Sequence, residues 1–124
     1  MNILSEMNKQ SIINFQNSEN TISKQIIIIK FGADWCGPCQ KIKDTVYDWF
    51  GQMPQNVICA DIDVDENLEL YAALKSKKMV NGIPIILAYY GHEKDHWYIP
   101  DDSVSGTDQN EINNFFNRCL KQAQ

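Results

Sequence analysis

The chain has 124 residues, of which 44% are hydrophobic and 22% are charged, and its formal net charge at pH 7 is −5. This length and composition predict a single globular domain that spans residues 1–124. The acidic balance argues against nucleic acid or an anionic membrane surface as the main partner, and the longest apolar run, Ile83 to Tyr90, is too short to cross a bilayer.

The first quarter of the chain has a polar start followed by one strong strand signal. Residues 1–10 are expected to fray or to form a turn of helix. Ser11 to Phe15 is predicted to form a short edge strand, and residues 16–24 are polar and hold a short helix at most. Ile26 to Phe31 is rich in β-branched residues and shows no alternation of apolar and polar residues, which predicts a central strand covered on both faces.

The most informative segment is Trp35-Cys36-Gly37-Pro38-Cys39, which lies at the expected start of a helix. Pro38 suits the first helical turn, where its missing N–H costs nothing. The N–H groups at the start of the helix favour the thiolate of Cys36, which is the form that attacks disulfides. Two thiols three positions apart in this setting predict reversible dithiol and disulfide exchange.

A static disulfide staple and half of a zinc site are the alternative interpretations of this cysteine pair. A structural zinc site needs a second pair of ligands, and Cys59, Cys119, His92 and His96 do not occur at ligand spacing. We therefore favour redox chemistry and expect no bound metal.

Strands and helices are predicted to alternate after this motif. Apolar residues at helical spacing predict a helix that ends near Gly51, with Cys39 on its buried stripe and Cys36 as the accessible sulfur. Residues 57–64 are predicted to form a buried strand, and Asp65 is the expected N-cap of a helix over 66–74. The remaining predicted elements are a strand from Ile85 to Tyr90, a partner strand around His96 to Ile99, a loop from Pro100 to Gly106, and a last helix capped by Thr107 or Asp108.

Several of these segments resemble the thioredoxin family. They are Phe31 to Cys39, Asp63 to Asn67, Gly82-Ile83-Pro84 and Ser105-Gly106. The resemblance covers roughly Ile26 to Lys121. It implies an α/β thioredoxin fold with a central mixed β-sheet of four to five strands flanked by helices on both faces, which agrees with the predicted order of elements.

The resemblance also implies roles for individual residues. Cys36 is the nucleophile that attacks a substrate disulfide, and Cys39 is the resolving thiol that displaces the reduced substrate. Pro84 is expected in the cis form, so that the backbone of Ile83 can pair with an extended substrate segment. The substrate-binding residues implied in this way are Trp35, Gly37, Pro38, Ile83, Pro84 and Gly106.

Two charged positions depart from the pattern of the family. Five residues before the active-site tryptophan the family usually has a buried acid, and this chain has Lys30. Four residues before the aspartate that follows the next strand, the family usually has a lysine, and this chain has Asp61. One interpretation is a partly buried pair that acts as a proton relay with its charges exchanged. In the other interpretation, both side chains reach solvent and the site lacks a relay.

The function expected from the cysteine motif and the resemblance is protein disulfide reduction at Cys36 and Cys39, a part of cell redox homeostasis. The alternative is a binding module of the same fold with a slow or vestigial redox site. Expected partners are proteins that contain disulfides and an upstream reductase or dithiol donor, and neither a cofactor nor an oligomer is expected. Four cysteines and an N-terminus without a signal-peptide pattern predict a reducing intracellular compartment, the cytoplasm.

Overall fold

A computed structural model describes residues 2–17 and 25–124 of the chain. Within these residues the strands are β1 (Ile3–Leu4), β2 (Ile26–Gly32), β3 (Val57–Asp63), β4 (Ile85–Tyr90) and β5 (Asp102–Ser105). The helices are α1 (Lys9–Gln16), α2 (Gly37–Gln52), α3 (Leu68–Ser76) and α4 (Gln109–Ala123). The five strands form one sheet in the order β1-β3-β2-β4-β5. It is mixed, because β1 and β2 run parallel to β3 whereas β4 is antiparallel to both β2 and β5.

Strand β2 lies at the centre of the sheet and is buried along its whole length. Its side chains alternate between the two faces, as strand geometry requires. Ile27 and Ile29 belong to one core cluster, and Ile26 and Ile28 belong to the other. The prediction of a central strand covered on both faces is therefore confirmed.

Each face of the sheet is covered by two helices. Ile12 of α1 and Leu70 of α3 belong to the same cluster as Ile27. Ile42 of α2 and Phe116 of α4 belong to the cluster on the opposite face. This arrangement confirms the predicted fold class, a mixed sheet flanked by helices on both faces.

The strand predicted over Ser11 to Phe15 is wrong, because these residues lie in α1. Asn8 caps this helix, and its side chain accepts a hydrogen bond of 2.9 Å from the backbone N–H of Ser11. The helical turn then buries Ile12 completely in the core. The strand at this edge of the sheet is β1, which pairs in parallel with β3.

Residues 1–10 were expected to fray or to form a turn of helix, and the described part of this segment contains β1 and the start of α1. In the polar segment over 16–24, Gln16 is the last residue of α1. Residues 18–24 of that segment lie outside the described residues.

The strand predicted around His96 to Ile99 is also wrong, since the partner of β4 is β5, inside the segment that was predicted to be a loop. The aromatic residues of this segment contact the core instead of pairing with β4. Trp97 and Tyr98 are partly buried and pack against the core cluster of α1 and α3. The Tyr98 carbonyl also accepts a hydrogen bond of 3.0 Å from the buried Tyr89 hydroxyl.

Asp101 holds together the loop that separates β4 from β5. Its carboxylate accepts hydrogen bonds of 2.7 Å from the Tyr90 backbone N–H and from Lys94 Nζ. His92 Nε2 lies 2.8 Å from the same carboxylate. These contacts order residues 91–101 without strand pairing between them.

One of the two predicted helix caps is correct. Asp108 caps α4, and its side chain accepts a hydrogen bond of 3.1 Å from the Glu111 backbone N–H. The prediction that Asp65 caps the preceding helix is wrong, because α3 begins later and has Asn67 at its N-cap. The carboxylate of Asp65 is available for a different contact, described below.

The double-sided burial of β2 leads to a stability prediction. Ile28 is fully buried, and removing its side chain beyond Cβ leaves a cavity, so we expect Ile28→Ala to lower the free energy of unfolding by about 2–5 kcal/mol. The control is Ile58→Ala on β3, where the side chain is 37% exposed and the expected loss is below about 1 kcal/mol. Urea denaturation of both variants measures these losses. Equal losses would contradict the assignment of β2 as the doubly covered strand.

Candidate active site

The two cysteines of the motif lie where β2 gives way to α2. Cys36 is the N-cap of α2, and its sulfur accepts a hydrogen bond of 3.2 Å from the Cys39 backbone N–H. Pro38 lies in the first turn, as predicted. Cys36 and Cys39 are joined by a disulfide, with their Cα atoms 5.2 Å apart. The first turn of the helix therefore holds the two sulfurs within bonding distance of each other. It also directs backbone N–H groups toward Cys36.

Both sulfur-bearing residues are nearly inaccessible in this oxidised form. Cys36 is 4% exposed and Cys39 is 1% exposed. The order agrees with the expectation that Cys36 is the more accessible sulfur, although the margin is small.

Trp35 forms an exposed apolar rim directly before Cys36. Its side chain is 71% exposed, and its indole Nε1 donates a hydrogen bond of 2.6 Å to Asp65 Oδ2. This hydrogen bond ties the loop before α2 to the loop after β3. The Asp65 carboxylate, which the sequence predicted to cap a helix, accepts this hydrogen bond instead.

The Ile83–Pro84 peptide bond is cis, as the resemblance implied. The backbone N–H of Gly82 donates a hydrogen bond of 3.1 Å to the Tyr71 hydroxyl, and the N–H of Gly106 donates one of 3.2 Å to the Pro84 carbonyl. Both glycines have positive φ angles, +121° for Gly82 and +86° for Gly106, which other residues rarely adopt.

The segments that contain Gly82 and Gly106 line an open groove of about 450 Å³. It is formed by residues 78–85 together with Ser105 and Gly106. Ile83 is partly buried and packs against the core cluster that contains Cys36 and Cys39. The groove offers backbone polar groups and an apolar floor, a surface suited to an extended peptide.

Lys30 and Asp61 are directly opposite each other on the neighbouring strands β2 and β3. Lys30 Nζ lies 3.5 Å from Asp61 Oδ1, and the two side chains are 5% and 21% exposed. The two residues thus form an ion pair in which the lysine is the more buried member. The interpretation in which the Lys30 side chain reaches solvent is therefore wrong.

Tyr47 completes this polar cluster from α2. Its hydroxyl donates a hydrogen bond of 2.6 Å to Asp61 Oδ2. Burial, reinforced by the contact with Asp61, raises the pKa of Tyr47 to about 12, so the hydroxyl stays protonated and remains a donor at neutral pH.

Sequence reasoning did not single out Tyr47. Lys43 and Tyr47 follow Cys39 at successive four-residue intervals, a spacing that places all three on one side of α2. That periodicity would have indicated a side of the helix facing β3, but only the packed structure shows that the hydroxyl meets Asp61.

Residues 2–17 and 25–124 contain neither a group of side chains that could hold a metal ion nor a helix that could span a membrane. In that part of the chain no three His, Cys, Asp or Glu side chains converge in a way that would hold a metal ion. None of the helices seen there combines the length and the apolar character that crossing a bilayer requires.

Fold and site together define a protein of the thioredoxin fold with a Cys-x-x-Cys disulfide at a helix N-terminus. The sequence profile described as thioredoxin matches residues 7–118. The chain therefore belongs to the thioredoxin family.

Individual relatives agree with this assignment. Thioredoxin 3 of Plasmodium falciparum is 32% identical over 99 residues, which is 79% of this chain and 51% of that protein. Thioredoxin of Equus caballus is 31% identical over 65 residues, which is 52% of this chain and 61% of that protein. The chain thus spans about half to three fifths of the length of these curated relatives.

Solved structures show the same fold over nearly the whole chain. Thioredoxin of Fasciola hepatica has a TM-score of 0.65 at 25% identity, and the match covers 95% of this chain and 98% of that one. A Plasmodium falciparum thioredoxin has a TM-score of 0.60 at 29% identity, with 90% of this chain and 81% of that one covered.

The site geometry predicts the order in which the four thiols react. Burial raises the pKa of both Cys59 and Cys119 to about 12, so at about pH 8 they are almost entirely protonated and unreactive. After reduction, we expect iodoacetamide to modify Cys36 first in the native protein, and Cys59 and Cys119 only in denaturant. Peptide mapping at successive times measures this order. Modification of Cys59 or Cys119 before Cys36 would contradict the assignment.

Proposed function

We propose that this protein is a thiol-disulfide oxidoreductase that reduces disulfides in other proteins and so contributes to cell redox homeostasis and electron transport. The observation that carries the proposal is the Cys36–Cys39 disulfide at the N-terminus of α2. Membership of the thioredoxin family supports it.

The reaction follows from the placement of the two sulfurs. In the reduced protein the Cys36 thiolate attacks one sulfur of a substrate disulfide, forms a mixed disulfide and releases the first substrate thiolate. The Cys39 thiolate then attacks Cys36 Sγ, which closes the Cys36–Cys39 disulfide and releases the second substrate thiolate. Two electrons pass to the substrate, and a dithiol donor returns the protein to the reduced state.

The surface around the disulfide supports a protein substrate. Trp35 is an exposed apolar surface beside the nucleophile, and the groove at Ile83 and Pro84 offers backbone groups to an extended segment. An extended chain pairs with such a groove through main-chain hydrogen bonds, which recognise peptide without requiring one sequence.

The partners and location belong to the same proposal. We expect substrates to be proteins with accessible disulfides and the electron donor to be an upstream reductase or dithiol. The small number of cysteines supports a reducing compartment, the cytoplasm. We further propose that the protein acts as a monomer.

Insulin reduction driven by dithiothreitol tests the proposal. We expect the wild-type protein to accelerate precipitation of the insulin B chain and Cys36→Ala to be no faster than dithiothreitol alone, because the attacking sulfur is gone. Cys59→Ala is the matched control and should retain nearly the wild-type rate, since Cys59 is a buried free thiol outside the pair.

Two outcomes would count against this function. If Cys36→Ala were as fast as the wild type, the chemistry would not occur at this pair. If the folded wild type gave no acceleration, the protein would be better described as a binding module of this fold with a vestigial redox site.

A further inference from the structure

A small cavity borders the resolving cysteine. It has a volume of about 80 Å³ and is lined by Cys39 together with both members of the Lys30–Asp61 pair. A bound water needs about 10–15 Å³. The cavity therefore has room for water that could take up a proton from Cys39.

Gly32 is near both the Lys30 side chain and the Cys39 sulfur. A Cβ at Gly32 would lie 3.3 Å from Cys39 Sγ and 3.8 Å from Lys30 Cε. Because glycine lacks this atom, no side chain from position 32 separates the lysine from the sulfur. The end of the lysine chain and the sulfur thus share one small space.

The charge on Lys30 is held in place by two further groups. Asp61 pairs with Lys30 Nζ at 3.5 Å, and the Tyr47 hydroxyl donates a hydrogen bond to the other carboxylate oxygen. A buried charge is costly unless it has a partner, and Asp61 supplies that partner for Lys30. Lys30 therefore borders the cavity as the cation of an ion pair whose carboxylate is itself held by Tyr47.

Three further charged side chains line the cavity. Lys43 comes from α2, Asp34 from the segment before it and Asp63 from the end of β3. Unlike Lys30, the side chains of Lys43 and Asp34 are exposed to water, which weakens their effect on the sulfur. The charged side chains that line the cavity are Lys30, Asp34, Lys43, Asp61 and Asp63.

We propose that Lys30, positioned by Asp61 and Tyr47, stabilises the Cys39 thiolate in the step that resolves the mixed disulfide. The proposal rests on the proposed function and assigns a charge to its second step. Cys39 loses its proton to water in the cavity, and the resulting thiolate lies beside the Lys30 ammonium. It then attacks Cys36 Sγ, and the departing substrate thiolate takes a proton from solvent.

Lys30→Met tests this step, with Lys43→Met as a matched control at the edge of the same cavity. The substrate is a symmetric aromatic disulfide whose two thiolates are coloured, so that rapid mixing resolves attack by Cys36 and then resolution by Cys39. We expect Lys30→Met to slow resolution at about pH 7 by about tenfold, equivalent to one pH unit in the midpoint of that step. Attack by Cys36 should change less than about threefold, and Lys43→Met should change both steps less than about threefold.

The double variant Lys30→Asp/Asp61→Lys separates a charge effect from a structural one. It keeps an ion pair at the same two positions of the sheet but places the carboxylate beside Cys39. If the sign of the charge matters, the pH midpoint of resolution rises in this variant as it does in Lys30→Met. A midpoint equal to that of the wild type would show that the pair is merely structural and would overturn the proposal.

The same traces distinguish failure of this proposal from failure of the proposed function. Absence of the first coloured phase in the wild type would mean that Cys36 does not attack disulfides at all. A normal first phase combined with unchanged resolution in folded Lys30→Met would overturn only the role of Lys30. Circular dichroism melts identify variants that fold, and if Lys30→Met does not fold, the double variant decides.

Discussion

The burial of β2 on both faces is the constraint on which the rest of the structure depends. Helices cover each face of this strand and another strand pairs with each of its edges, so none of its side chains reaches open solvent. A charge in such a place is costly unless it has a partner. Lys30 meets that requirement through the register of β2 against β3, which places Asp61 directly opposite. The same register fixes which charge lies beside the sulfur at the start of α2.

The parts of the fold that the sequence predicted are those specified by local pattern. The isoleucines of β2 form a run that only a doubly covered strand accommodates, and the apolar stripe after Cys39 has the period of a helix. The cap at Asp108 is a contact between residues three positions apart. The cysteine pair is equally local, because the spacing that closes the disulfide is the spacing of one helical turn.

The errors occurred where contacts distant in sequence decide the outcome. Ser11 to Phe15 is too short for periodicity to separate a strand from a helix, and burial of Ile12 in the core decides for the helix. In β5 only Val104 is buried, so the strand has almost no pattern of its own and exists because β4 offers it an edge. The hydrogen bond from Tyr47 to Asp61 joins α2 to β3, and it likewise could not be predicted from the sequence pattern.

The energetics of the Lys30–Asp61 pair indicate why a charged pair occupies the centre of an apolar sheet. Replacing a buried ion pair with well-packed apolar residues is often neutral or stabilising by about 1–4 kcal/mol, because the cost of removing the charges from water can exceed their mutual attraction. Stability alone therefore gives little reason for a lysine on a strand that is otherwise apolar. The role proposed above gives this placement a chemical consequence that an isoleucine would lack, because Lys30 and Cys39 line the same cavity. The register of β2 against β3 places the lysine on the strand that leads into the cysteine motif and the carboxylate on its neighbour, so in this chain the buried member of the pair is the cation.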